Sequence, residues 1–160
     1  MNNGDKTFGG FTGIAEGGWP LSDMRAWLNS EEFISSLDPA LQVGLKTVLK
    51  VSDQGRSSYY EAGDTKTPLA EPVYVNSADK IFIPSTTELN LTYGLTGANQ
   101  GATYPMFTNN SSRATGFDYF TRSTATSSGL GNIFAMVRAA GDVYPVAGSA
   151  QKQIVFCLCI

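Results

Sequence analysis

The sequence predicts an α+β fold, and three observations carry that prediction. Helix-start signals and apolar residues at helical spacing fall in the first third of the chain. From Phe117 onward the pattern changes to short strands separated by glycine-containing turns. The chain then ends on an unbroken β-favouring run, Gln153-Ile154-Val155-Phe156-Cys157-Leu158-Cys159-Ile160. Helices first and strands afterwards read as α+β rather than alternating α/β. A terminal apolar run of this length reads as a buried strand that closes the sheet.

Taken in order, residues 1–18 are rich in Gly, Asn and Thr, with Phe8 and Phe11 as the only anchors, and read as an N-terminal extension or edge segment. Residues 19–160 read as one domain. Ser22 is a good N-cap, Asp23 places an anion in the first turn, and Met24, Trp27 and Leu28 share one apolar face. Asn29-Ser30 ends that helix, and a second short helix is expected over residues 31–37. Asp38-Pro39 starts a third, an Asp cap with Pro at the first helical position. Leu41, Leu45 and Val48 follow at helical spacing, and residues 48–51 turn toward a strand. Residues 52–72 read as a long surface loop with a strand at 58–61, followed by short strands at 73–75 and 79–84. Ser85 and Glu88 fit a capping box and predict a short helix through Leu91. Residues 94–116 read as loop. The expected terminal strands cover 117–122, 132–138, 143–146 and 153–160, with a tight turn at Gly141-Asp142.

Composition removes several functions. The 160 residues carry 42% hydrophobic and 16% charged side chains and a net charge of −3, with no basic stripe, so nucleic-acid binding is not expected. No apolar run approaches the roughly 18 residues of a membrane span, so no membrane insertion is expected, and the N-terminus lacks a signal-peptide core. Histidine is absent. That excludes a Ser-His-Asp triad, a Cys-His dyad and a His-ligated zinc. Cys157 and Cys159 share one strand face at a spacing too strained for a disulfide, and read as small core residues. Asp118, Asp142, Glu88 and Glu71 are too scattered for the six to eight oxygens of a calcium site. No metal and no cofactor is expected.

Several separated segments resemble a bacterial and phage family, the domain of unknown function DUF6273. They are Gly17-Gly18-Trp19 with Ser22-Asp23-Met24-Arg25, Lys46-Thr47-Val48-Leu49-Lys50, the strand at 79–83 with Ser85 to Glu88, Tyr104 to Phe107, Tyr119-Phe120-Thr121-Arg122-Ser123-Thr124, the strand–turn–strand unit from Phe134 to Tyr144, and Phe156-Cys157-Leu158. Thr121 and Thr124 replace the family's usual Leu and Pro, and Ile154-Val155 replace its usual turn into the last strand. The resemblance covers about 17–160. It implies a C-type-lectin-like fold, with two or three short helices packed on a twisted antiparallel sheet closed by the C-terminal strand. It also implies loops presented on one face, as in adhesins and phage receptor-binding proteins. Formylglycine-generating enzymes share a related fold.

The residue-level expectations follow. Arg122, inside an aromatic strand, reads as a structural arginine bridging backbone carbonyls or stacked on an aromatic ring, with a ligand-facing cation as the alternative. Trp19, Trp27 and Phe156 are expected to be structural. Trp19, Trp27, Tyr119, Phe120 and Phe134 are candidates for an aromatic sugar platform, with Trp27 assigned to the core and at most one of Tyr119 and Phe120 exposed. Residues 124–132 and 139–151 read as loops at one end of the sheet. Arg138, Asp142, Tyr144, Gln151, Ser127 and Asn132 are the candidate ligand-binding residues. The expected function is a non-catalytic binding or display domain of a virion or bacterial cell surface. Its partners would be a host surface glycan or protein, or other virion proteins, with homo-oligomerisation possible. The alternatives are a structural virion subunit (fibre, collar or decoration protein) and a thiol-dependent oxidase of the formylglycine-generating type.

Overall fold

A computed structural model of the protein describes residues 17–53, 73–91, 99–127, 130–148 and 150–160. Phe8, Phe11, the strand expected at 58–61 and Glu71 lie outside the described residues. After a 3-10 turn at Trp19–Leu21, helix α1 spans Asp23–Leu28, α2 Glu31–Ser35 and α3 Pro39–Gly44. Helices α1 and α3 start where their caps predict, and Ser30, expected to end α1, also caps α2. The Ser22 hydroxyl accepts from Arg25 N at 3.1 Å, Ser30 from Phe33 N at 3.2 Å, and Asp38 from Ala40 N at 2.8 Å. Met24, Leu28 and Phe33 bury one side of α1 and α2, while α3 buries nothing and leaves Val43 exposed.

Among the described residues, three small antiparallel sheets follow. Strand β1 (Val48–Asp53) pairs with β2 (Tyr74–Asp79), and β3 (Ile81–Phe82) pairs with β7 (Cys157–Leu158). A meander is built from β4 (Tyr119–Ser127), β5 (Leu130–Val137) and β6 (Val143–Ala147). A one-turn helix α4 (Asn110–Arg113), closed by a capping box from Asn109, lies in the stretch read as loop. The architecture is α+β, with few short helices and antiparallel sheets.

Strand β4 divides two cores. Phe120 and Phe134 join Trp19, Met24, Leu28, Phe33 and residues 81–83 in the larger cluster. Tyr119 and Val137 join Leu89 in the smaller one. Both faces of β4 are therefore covered, and Tyr119 and Phe120 are 2% and 0% exposed. Neither reaches solvent, which agrees with the expectation that at most one would be exposed. Trp19, Phe134 and these two cannot form a sugar platform.

Three further expectations are corrected. First, residues 153–160 are half-buried or exposed, not fully buried, and only Cys157–Leu158 is strand. The run is apolar because it passes between the two cores. Val155 packs on the smaller, while Ile154, Phe156, Cys157 and Cys159 pack on the larger. Its strand pairs with β3 instead of the meander, to which a bridge joins Gln153 and Tyr119. Second, residues 124–132 are mostly strand, because cross-strand pairs such as Thr124 with Phe134 and Ala125 with Ile133 carry the ladder nearly to the turn. Third, Ser85 and Glu88 make the reciprocal capping bonds, but residues 86–90 form turns instead of a helix. The Glu88 side chain turns inward, where two cations take it.

Candidate functional site

A bulge in β4 builds the most buried part of the molecule. Phe120 pairs with Met136 and Thr124 with Phe134, so four steps along β4 oppose two along β5. The surplus residues leave the ladder. A bulge of this kind re-aims a side chain. Thr121 Oγ1 donates to Ala135 O at 2.7 Å, and Arg122 N to Pro84 O at 3.0 Å. The Arg122 guanidinium, with no exposed surface, then runs between the sheets. It donates to Val51 O at 3.3 Å, Ile83 O at 2.9 Å and Gln100 O at 2.8 Å, and to Glu88 Oε2 at 2.5 Å. Its planar fork bridges carbonyls from separate elements, a geometry that lysine cannot reproduce.

Glu88 Oε1 accepts from Lys50 Nζ at 3.0 Å. Lys50 also donates to Tyr104 Oη at 3.2 Å and lies 3.7 Å from the centre of the Phe82 ring. A pocket of ≈ 280 Å³ opens beside this network, lined by Leu49, Lys50, Val51, Glu88, Tyr104 and residues 101–103. Gly101, at φ +109°, brings its backbone over Glu88, and a Cβ there would sit 3.0 Å from Oε1.

The titratable groups around the pocket are pinned. Burial alone would raise the Glu88 carboxyl. The hydrogen bond and charge of Arg122, with Ser85 N and Lys50, outweigh burial and hold it below its ordinary value. Burial, and then the charge of Glu88, push the Tyr104 hydroxyl well above the tyrosine range. Burial likewise moves the Cys157 thiol up to about 11, with Glu88 adding to the shift. Near neutral pH these are an anion, a phenol and a thiol. The arrangement suits fixed hydrogen bonding and charge more than proton transfer.

A second, exposed cluster sits at the turn between β5 and β6. Arg138 Nε donates to Asp142 Oδ2 at 2.7 Å, Nη2 bonds the same oxygen, and the guanidinium lies 5.1 Å from the Tyr144 ring centre. The turn closes through Gly141, at φ 90°, with Arg138 N donating to Asp142 O at 2.8 Å. Asp118 joins this turn to the segment after β6: its carboxylate accepts from Ala139 N at 3.0 Å and from Lys152 Nζ at 2.9 Å. Beside it lies a cleft of ≈ 210 Å³ lined by Phe117, Asp118, Gln151, Lys152 and Gln153. Arg138 lowers the Asp142 carboxyl, and the Lys152 hydrogen bond lowers that of Asp118.

The structure thus brings Arg138, Asp142 and Tyr144 together, and Asp118 links their turn to Lys152, with Gln151 lining the same cleft. It does not bring Ser127 and Asn132 to them. Both belong to the other end of the β4–β5 hairpin, because successive turns of a meander alternate ends, and their side chains lie outside the described residues. Trp19 is fully buried and donates from Nε1 to Asp79 Oδ2 at 2.9 Å. Trp27 packs edge-on against Phe33 with ring centroids 4.5 Å apart, and Phe33 meets Phe156 at 5.6 Å. Asp79 also accepts from Arg25 Nε at 2.5 Å and Ser77 Oγ at 2.6 Å. Sequence reasoning missed Lys50, Tyr104, Asp79 and Lys152. A lysine within Val48-Leu49-Lys50-Val51, at an alternate position of a strand, was the available signal for the first.

The fold and these two clusters define a small α+β domain with a rigid, ion-paired interior and a polar patch on one hairpin end. The chain belongs to the DUF6273 family, described as a domain of unknown function, whose model matches residues 12–154. No curated protein and no solved structure matches it. Among the described residues, no helix is long and apolar enough to cross a membrane.

Proposed function

We propose that this chain is a non-catalytic binding or display domain on a C-type-lectin-like scaffold, carried by a phage virion or a bacterial surface. Its ligand, a host glycan or surface protein, meets the end of the meander at Arg138, Asp142, Tyr144, Gln151 and Lys152. The supporting observation is the pairing of an exposed Arg138–Asp142–Tyr144 cluster with a polar cleft on a scaffold anchored by Arg122. Tyr144 is 49% exposed, which leaves a large amphipathic ring edge for a ligand. The pinned Glu88, Tyr104 and Cys157 favour binding over catalysis, and the raised thiol argues against the oxidase reading. The test is a glycan and host-cell binding screen with wild type and Tyr144→Ala. Binding by wild type that drops at least tenfold in the variant supports the proposal. Binding that is unchanged by the substitution, or no binding to any host surface, overturns it.

A second reading, a structural virion subunit, draws on one observation. Val43 on α3 and Ile160 beside Gly44 of the same helix are 91% and 64% exposed, apolar surface that an assembly could cover. Light scattering at two concentrations separates the readings. A concentration-independent oligomer favours the subunit, and a monomer favours the tethered binder.

A further inference from the structure

The two outer strands differ in how their edges are treated. On β6, Arg138 N bonds Asp142 O. Antiparallel pairs alternate between bonded and non-bonded positions. Counting by two along the register, Tyr144 and Val146 turn their main-chain groups toward β5, while Val143, Pro145 and Ala147 turn theirs outward. At the middle outward position stands a proline, which has no N–H to offer. At the last, the Ala147 carbonyl already accepts from Ala150 N at 3.0 Å. That edge is blunted in the manner of natural edge strands.

Strand β1 is treated differently. Lys46 N donates to Cys159 O at 2.9 Å, on the side of β7, which pairs with β3 directly downstream of β2. Arg122 Nε reaches Val51 O at 3.3 Å. Together these place the even-numbered residues toward β2 and turn the main-chain groups of Leu49 and Val51 away from it. Among the described residues, Leu49 N–H, Leu49 C=O and Val51 N–H have no hydrogen-bond partner on that side. They open on the 280 Å³ pocket, across from residues 101–104. Leu49 is 71% exposed. No proline guards the edge. The nearest lysine, Lys50, is held inward by Glu88 and Tyr104.

We propose that the open edge of β1 at Leu49 and Val51 accepts an extended polypeptide segment as an added strand. Two donors and an acceptor at a two-residue period match a β-strand backbone, the pattern of strand-addition recognition. The pocket lies below the roughly 300 Å³ at which small-molecule sites begin, and suits a short stretch of backbone with one inserted side chain. The occupant is a partner's peptide and not a second copy paired through β6, because Pro145 blunts that edge. This proposal stands apart from the hairpin-end reading and can survive its failure.

The test starts from a random heptapeptide library panned on the full chain, with the enriched peptides then synthesised. Anisotropy titrations compare wild type, Leu49→Ala and Leu49→Pro. Leu49→Ala keeps the outward N–H. Leu49→Pro removes it at a position that takes no part in the β1–β2 ladder, as Pro145 does on β6. The expected result is affinity within about threefold for L49A and at least tenfold weaker for L49P, one to two hydrogen bonds' worth. Should L49P not fold, N-methylation along the peptide takes its place, with alternate residues intolerant by at least tenfold. Amide exchange supplies the second readout. Leu49 and Val51 exchange fast in the free protein, Lys50 and Ser52 slowly, and bound peptide slows the first pair. No enriched peptide, equal binding by L49P or tolerance of every N-methyl group overturns the proposal. So does protection of Leu49 in the free protein. If that protection is independent of concentration, the chain covers its own edge, and if it rises with concentration, a second copy does.

Discussion

Replacing Arg122 with Met removes a buried guanidinium of similar length and leaves its partners in place. Three carbonyls, those of Val51, Ile83 and Gln100, lose a donor, and Glu88 loses the closer of its two cations. An orphaned buried acceptor costs about 1–3 kcal/mol. Breaking a buried ion pair by removing one partner costs about 3–5 kcal/mol. These terms overlap because Glu88 keeps Lys50 and Ser85 N and water can reach the pocket side, so the expected loss is about 4–5 kcal/mol. That is a third or more of a typical domain stability of about 5–15 kcal/mol. Urea unfolding at pH 7, followed by tryptophan fluorescence and far-ultraviolet dichroism, measures it. Arg122→Lys should recover less than half, since a single ammonium cannot reach carbonyls from separate elements. Combining Arg122→Met with Glu88→Gln should cost less than the sum of the single changes by about 1–3 kcal/mol, because the stranded carboxylate is gone. A loss below about 1 kcal/mol for Arg122→Met would refute the reasoning, since it would mean that the guanidinium joins nothing that water cannot join as well.

Other outcomes follow from the same geometry. The Glu88 carboxyl titrates below its ordinary value of 4.5 when folded. Its stabilising contribution is therefore complete above the unfolded value and is lost as pH falls through the folded one. Urea midpoints of wild type should drop below about pH 4.5 more steeply than those of Glu88→Gln, and parallel acid limbs would sink the idea. Gly141→Ala should destabilise by more than about 2 kcal/mol, because φ is 90° and the new Cβ would sit 1.9 Å from Asn110 O; a melting temperature within 2 °C of wild type, on the order of 0.5 kcal/mol, contradicts it. With its thiol at about 11, Cys157 is about one part in a thousand thiolate at pH 8. Native labelling by a maleimide should lag the denatured control by a hundredfold or more, and equal rates would show that the thiol is open. Tyr144→Ala should leave the urea midpoint within about 0.5 kcal/mol of wild type, so a lost glycan signal can be assigned to the surface rather than to unfolding.

What the sequence made legible is local chemistry. Ser22 and Asp38 name two helix starts because a cap is decided within three residues. The strands expected at 117–122, 132–138 and 143–146 announce themselves by β-branched and aromatic residues between glycine turns, and the observed strands overlap all three. What it hid is set by partners far along the chain. Residues 124–127 read as loop because Thr, Ala, Thr and Ser carry little hydrophobicity, yet pairing with 130–134 makes them strand. The capping box at Ser85 was visible, but the fate of Glu88 depends on Arg122, 34 positions away. Asp118 was noted only as a scattered carboxylate, and its link to Lys152 needs the segment after β6 to come back to the start of β4. The split of the terminal run between two cores has no sequence period, so an eight-residue apolar tail and a two-residue strand look alike beforehand.

Among the described residues, the three sheets share no continuous ladder. What couples them is the larger apolar core, a few single main-chain bonds and the Arg122 guanidinium, which touches residues from four places in the chain. Sheets of two strands are marginal on their own. Cooperative unfolding, on this geometry, rests on the shared core and the Arg122 junction more than on strand pairing. Weaken that junction, and the molecule should cease to melt as a unit, with the β1–β2 ribbon opening ahead of the meander as a separate foldon.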